Sequence, residues 1–168
     1  VVHFNDLLKN SEMLLKSFFS DAVHLNIRSP EKALHVEADR IELQQVLLNL
    51  TLNALSAVGN EGHIEVELAT RDENLVLSVS DDGPGIPVER RRWVLEPFNT
   101  TNPSGSGLGL ATVARIAKAG GGRVEIDSAE SGGACVRFFL PLTDAAGAMA
   151  KEMPTTPMTT GCLSVLVV

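Results

Sequence analysis

Hydrophobic positions along the 168-residue chain change their period several times, and each change marks an element. Between residues 3 and 20, Phe4, Leu7, Leu8, Leu14, Leu15, Phe18 and Phe19 recur at roughly helical spacing among Asp, Lys and Glu, which predicts an amphipathic opening helix. Val23, Leu25 and Ile27 then alternate with polar residues, and beyond Pro30 so do Leu34 and Val36, predicting two short strands. Asp39 followed by Glu42 is a capping-box pattern, and the Leu-rich stretch from Ile41 to Val58 meets no Gly or Pro until Gly59. The longest helix is expected there. Ile64, Val66 and Leu68, then Leu75, Leu77 and Val79, alternate on either side of Arg71, Asp72, Glu73 and Asn74, which predicts a β-hairpin.

From Asp81 to Gly109 every period is interrupted, by Gly83, Pro84, Gly85, Pro87, Pro97, Pro103, Gly105, Gly107 and Gly109. A loop of that length inside a compact domain is usually functional. A helix resumes at Leu110 and stops after Ala119 at Gly120, Gly121 and Gly122. Val124 with Ile126, and Val136 with Phe138 and Leu140, then form a second strand pair. This order predicts an α/β (α+β) two-layer sandwich, with a mixed, largely antiparallel sheet packed on about three helices.

Residues 1–143 read as that domain. The Ala, Gly, Met, Thr and Pro of 144–161 read as a linker, and the apolar run in 162–168 as the start of another element. Because the chain opens on Val1 and closes on that run, a piece of a longer protein is expected.

Composition narrows the classes. A hydrophobic content of 44% with 21% charged residues suits one globular core. Lys plus Arg number 14 against 21 Asp plus Glu, a net charge of -7 with no basic run, which disfavours nucleic acid or an anionic membrane as partner. Cys135 and Cys162 lie far apart, with no second Cys or His at metal-ligand spacing; neither a disulfide scaffold nor a zinc site is expected, and a reducing compartment fits. No apolar run approaches the ~20 residues of a membrane span, and no signal peptide opens the chain, so a cytoplasmic location is expected whether or not the parent is membrane-anchored.

Three polar clusters stand out. Asn49, Asn53 and Ser56 share one face of the long helix, either as a hydrogen-bonded packing pair or as oxygen donors to a hard cation such as Mg²⁺. Asp81, Asp82, Gly83, Pro84, Gly85 and Ile86 sit where a strand ends. This is either a plain Asp-Gly turn, or a carboxylate for an exocyclic amine beside glycines that let backbone approach a flat ring. Gly105, Ser106, Gly107, Leu108 and Gly109 open a helix, where free N–H groups and the helix dipole favour phosphate. The spacing is neither a P-loop nor a dinucleotide fingerprint.

Together and in this order the clusters resemble the adenine-nucleotide site of the GHKL (Bergerat) superfamily, and within it the catalytic and ATP-binding domain of bacterial sensor histidine kinases. Asn49-Leu50-Thr51-Leu52-Asn53-Ala54 resembles the N box, and Asp81-Asp82-Gly83-Pro84-Gly85-Ile86 the first glycine box. Glu96-Pro97-Phe98-Asn99-Thr100-Thr101 resembles the F box, and Gly105 to Leu110 the second glycine box. The resemblance extends from about Phe4 to Leu142 and implies ATP and Mg²⁺ as cofactors. It implies that Asp81 receives the adenine amino group, that Asn53 ligates Mg²⁺, and that Asn49 lies beside the phosphates. Gly83, Gly85 and Ile86 would line the base pocket. Thr101, Gly105, Ser106, Gly107, Leu108 and Gly109 would form the phosphate side and the flexible ATP lid, and Phe98 would pack that lid against the body. Arg90, Arg91 and Arg92 are either a solvated helix face or include one phosphate contact.

Some positions depart from the family pattern. Ser56 stands where many members carry a basic residue, Ala57 where some place an aromatic, and Ala134 where a Thr or Ser is frequent, so that one hydrogen bond near Asp81 is missing or passes to water. Relatives that hydrolyse ATP carry a Glu as general base at the position of Asn49. An amide cannot accept that proton, so the resemblance implies γ-phosphoryl transfer rather than hydrolysis.

The 4 histidines, His3, His24, His35 and His63, lack the mid-helix acidic context of a phosphoacceptor. The acceptor is therefore expected on a separate dimerisation domain. The run Leu163 to Val168 resembles the first strand of a response-regulator receiver domain, implying a hybrid kinase and a receiver as second partner, with this piece itself monomeric. Two other functions compete. An anti-sigma-type serine kinase would usually carry Glu at 49, and a non-catalytic docking module would fit Ser56 but not an intact Asp81, Asn53 and glycine set.

Overall fold

The computed structural model of the protein describes residues 1–100 and 106–143. In chain order its elements are β1 (Val2–His3), α1 (Phe4–Ser17), β2 (Val23–Arg28), β3 (His35–Val36), α2 (Arg40–Val58), β4 (Gly62–Arg71), β5 (Asn74–Asp81), α3 (Gly109–Ala119), β6 (Arg123–Ser128) and β7 (Ala134–Pro141). Short 3₁₀ turns at Val88–Arg90 and Trp93–Leu95 lie between β5 and α3.

Asp39 starts α2. Its Oδ1 accepts from the N–H groups of Ile41 at 2.7 Å and Glu42 at 3.2 Å, two of the donors a helix start leaves without intrahelical partners. The Glu42 side chain does not complete the box. Its Oε1 instead accepts from both terminal nitrogens of Arg115, at 3.2 and 3.3 Å, tying α2 to α3.

α1 buries Phe4, Leu7, Leu8 and Leu15 at helical spacing. Leu14 and Phe18, expected on that stripe, are instead 55% and 45% exposed: Leu14 falls at the stripe's edge, and Phe18 follows the last helical turn. Asn5 pins the β2–β3 connection onto α1. Its amide nitrogen donates to Ser29 Oγ, Pro30 O and Lys32 O, and its Oδ1 accepts from Leu34 N at 2.9 Å.

The main sheet has strand order β2-β4-β5-β7-β6, with β2 parallel to β4 and the remaining pairs antiparallel. One face presents Ile64, Val66, Leu68, Leu75, Leu77, Val79, Val136 and Phe138 to Leu43, Val46, Leu47 and Leu50 of α2 and to Val113 and Ile116 of α3, in one core. Each buried aliphatic side chain there contributes roughly 1.5–3 kcal/mol. The expected two-layer sandwich with its mixed, mostly antiparallel sheet is thus the observed fold. The second short strand expected around Leu34 and Val36 is β3, and it forms a separate antiparallel ladder with β1, where Val2 pairs with Val36 and His3 with His35; β1, two residues long, carries no period of its own.

The β4–β5 connection is tighter than the sequence predicts. Arg71 and Asn74 are cross-strand partners, which leaves Asp72 and Glu73 as a two-residue loop with φ of 49° and 61°. Positive φ at both positions is the type I′ geometry that fits the strands' twist.

Candidate functional site

Strand alternation puts Asp81 on the same inward face as Val79. It is the last residue of β5 and is 2% exposed. Its Oδ1 accepts from Gly83 N at 2.9 Å and from Ala134 N at 3.3 Å, and its carbonyl oxygen accepts from Ser131 Oγ at 3.0 Å. Among the described residues Oδ2 accepts no hydrogen bond, which leaves it for a ligand's N–H donor. Burial holds the carboxyl above the ordinary carboxylate pKa; the Ala134 and Gly83 N–H groups oppose that, and the adjacent Asp82 charge reinforces it.

Glycines surround this carboxylate because side chains do not fit. A Cβ on Gly133 would stand 2.2 Å from Asp81 O and 2.4 Å from Asp81 Oδ1, and one on Gly83 would stand 2.9 Å from Ala57 O. Ala134 has no side-chain hydroxyl, and its backbone N–H reaches Asp81 directly. The stretch from Gly132 to Pro141 resembles the closing strand of the family, but no sequence signal points to the contacts of Gly133 and Ser131 with Asp81.

On α2, Asn49 and Asn53 lie one turn apart and half-buried. Neither side chain has a hydrogen-bond partner among the described residues, so they do not form the packing pair that spacing alone allowed. A Cβ on Gly109 would meet Asn49 Cγ and Oδ1 at 3.8 Å, an ordinary contact that seats the start of α3 beside Asn49. No side chain caps that helix, and Leu108 N donates to Ser106 Oγ at 3.4 Å. All three polar clusters therefore meet at α2: Gly109 of the second glycine box lies beside Asn49, and Gly83 lies against Ala57 at the end of the helix.

The segment between β5 and α3 closes on itself where Phe98 N donates to Gly107 O at 3.1 Å. Gly107 has φ of +70°, and a Cβ on it would stand 2.5 Å from Phe98 C. The expectation that Phe98 packs this segment onto the body is corrected. With φ of 66° its side chain turns outward and is 77% exposed. Val94, 4% exposed, and the partly buried Leu95 make the packing, and Ile86 also lies against the core. Thr101 and Gly105 lie outside the described residues, as do the linker 144–161 and the strand expected in 162–168.

The three lid arginines separate. Arg92 is exposed, and Arg90 sits 6.0 Å from the Trp93 ring centroid. Arg91 takes a role neither sequence reading anticipated: it donates to Ile86 O at 3.3 Å, Asp127 Oδ1 at 3.4 Å and Ser128 Oγ at 2.9 Å, fastening the segment to β6. Asp127 and Ser128 are far along the chain and no local pattern marks them.

The buried Asp81 carboxylate, the Asn49 and Asn53 amides on α2 and the uncapped start of α3 thus lie together on an α/β sandwich. Residues 38–144 match the family model described as histidine kinase-, DNA gyrase B-, and HSP90-like ATPase, and the chain belongs to that family. It is 34% identical over 143 residues to the sensor histidine kinase ZraS of Salmonella typhimurium, covering 84% of this chain and 31% of that relative. The chain thus spans about a third of that relative's length. The nucleotide-free catalytic domain of histidine kinase ThkA superposes with a TM-score of 0.76 at 30% identity, covering 83% of this chain and 93% of that one. Full-length ShkA in complex with AMPPNP superposes with a TM-score of 0.75 at 29% identity, covering 86% of this chain and 31% of that one. Among the described residues no helix is long and apolar enough to cross a membrane.

Proposed function

We propose that this domain binds Mg·ATP and donates the γ-phosphoryl group to a histidine on a separate phosphoacceptor domain of a two-component sensor kinase. The observation that carries the reading is Asp81: buried, held on Oδ1 by Gly83 and Ala134, and with Oδ2 open to an exocyclic amine. Its ionised form accepts the adenine amino proton, while Gly83 and Gly133, where a Cβ would run into Ala57 O and Asp81 O, let the backbone close around that carboxylate. The AMPPNP complex of the structurally similar ShkA supports the same ligand class here.

Asn53 is the residue that would hold Mg²⁺ through its amide oxygen, and Asn49 would face the phosphates near α3. The donor chemistry fits. Mg²⁺ prefers oxygen, retains waters and takes phosphate oxygens from the nucleotide, and it supplies charge neutralisation at the transferring phosphoryl group. Gly107 and Gly109 present N–H groups at the start of α3 as anion donors, with Ser106 and Leu108 beside them, and in this reading Thr101 and Gly105 contribute to the same phosphate side. Asn49 cannot act as general base, so the domain orients the nucleotide for an external nucleophile.

The receiver domain of a response regulator is the second partner in this reading, whether carried by the same parent protein or separate. The test is incubation of the domain with radiolabelled ATP and a separately purified histidine domain of its parent. Acid-labile phosphohistidine on that domain supports the reading. Labelling of a serine substrate instead, or none with ATP bound, overturns it.

A further inference from the structure

The residue after Asp81 folds back onto the neighbouring strand. Asp82 donates its N–H to His63 O at 3.3 Å, accepts from His63 N on Oδ1 at 2.9 Å, and places Oδ2 3.0 Å from His63 Nδ1. The β4–β5 ladder ends at the Ile64 and Asp81 pair, so these contacts extend it by one step on the face opposite Asp81. Gly62, with φ of +150°, makes room: a Cβ there would stand 2.6 Å from Asp82 Oδ1. The His63 ring lies against His24, its partner in the parallel β2–β4 register, with ring centroids 5.1 Å apart.

On the reading that this site binds adenine nucleotide, we infer that the Asp82–His63 clamp is a positioning device for the base pocket. Beyond Asp81 the chain enters Gly83, Pro84 and Gly85, where glycine imposes little direction of its own. The clamp fixes the direction in which the backbone leaves β5. Gly83 N then meets Asp81 Oδ1, and the carboxylate keeps its other oxygen toward the base. Neither clamp residue touches the nucleotide.

The test uses adenosine, followed by amide chemical shifts at one pH. His63→Gln, which keeps the backbone N–H to Asp82 Oδ1 and loses the ring contact, is expected to bind about threefold more weakly than wild type. Asp82→Ala is expected to lose about tenfold, and Asp82→Asn, whose amide oxygen still accepts from His63 N, to recover part of that. Thermal unfolding of each variant verifies that it is folded. Adenosine affinity unchanged in His63→Gln and Asp82→Ala, or Asp82→Asn binding no better than Asp82→Ala, overturns the clamp while leaving nucleotide binding intact. A wild type that binds neither adenosine nor ADP overturns the nucleotide reading and the clamp with it.

Discussion

Gly133 lies so close to Asp81 that a Cβ added to it would stand 2.2 Å from the Asp81 carbonyl oxygen and 2.4 Å from Oδ1. Backbone contact of that kind cannot be relieved by rotating a side chain. Gly133→Ala is therefore expected to displace the end of β5 or the start of β7, to cost about 1–3 kcal/mol of stability, and to abolish nucleotide binding while circular dichroism stays native-like. Calorimetric binding equal to wild type would show that the Asp81 geometry is not what recognises the base.

Burial raises the Asp81 pKa, with a consequence for stability. A carboxyl whose folded pKa lies above its unfolded value stabilises the fold when protonated, and that contribution is lost as pH rises through the folded pKa. Asp81→Asn keeps an oxygen for Gly83 N and Ala134 N and removes the charge. It should raise Tm near pH 7, show a smaller gain near pH 4, and lose adenine binding. A Tm at pH 7 below wild type would contradict this account of the site.

Asp82, next in the chain, behaves oppositely: hydrogen bonds from the His63 backbone N–H and then its ring hold the carboxyl below the usual range. Its contribution is present above the unfolded carboxylate pKa and is lost as pH falls through the lower folded one. In thermal melts between pH 5 and pH 2, Asp82→Asn should accordingly lose less stability on acidification than wild type.

The lid is fastened by Arg91 through Ile86 O, Asp127 and Ser128, and packed by Val94. Arg91→Ala should speed hydrogen exchange of amides in 86–98 by about tenfold and change global stability by no more than about 1 kcal/mol. Exchange unchanged in that segment would mean that Val94 and Leu95 alone hold it.

Sequence periodicity placed the helices and the main-sheet strands, because burial on one face imposes a period that survives in the chain. The site residues on α2 and at the end of β5 were legible for a related reason: Asn49, Asn53 and Asp81 are polar residues where the pattern demands apolar ones or a strand end. What escaped were relations between distant segments. Asn5 holding 29–34, Arg91 reaching Asp127, and Glu42 turning from its cap to Arg115 rest on contacts that no local window contains. The hairpin loop looked longer than it is because Asp72 and Glu73 are not the Asn-Gly that usually signals a type I′ turn. Phe98 differs from what the family resemblance implies: with φ of 66° beside Gly107 its side chain is exposed instead of packed on the body.

That loop offers a stability check. Glu73 with φ of 61° occupies the left-handed region, which costs a non-glycine residue roughly 1 kcal/mol. Glu73→Gly should raise stability by about 0.5–1 kcal/mol in urea unfolding, with no change in m-value.

The most direct test of the central claim is calorimetric titration of ATP into the domain with and without Mg²⁺, for wild type, Asp81→Ala and Asn53→Ala. The account predicts that wild type binds, more tightly with Mg²⁺. Asp81→Ala should lose binding in both conditions, and Asn53→Ala should retain binding without its dependence on Mg²⁺. Wild-type affinity surviving in Asp81→Ala, or Mg²⁺ dependence surviving in Asn53→Ala, would contradict it.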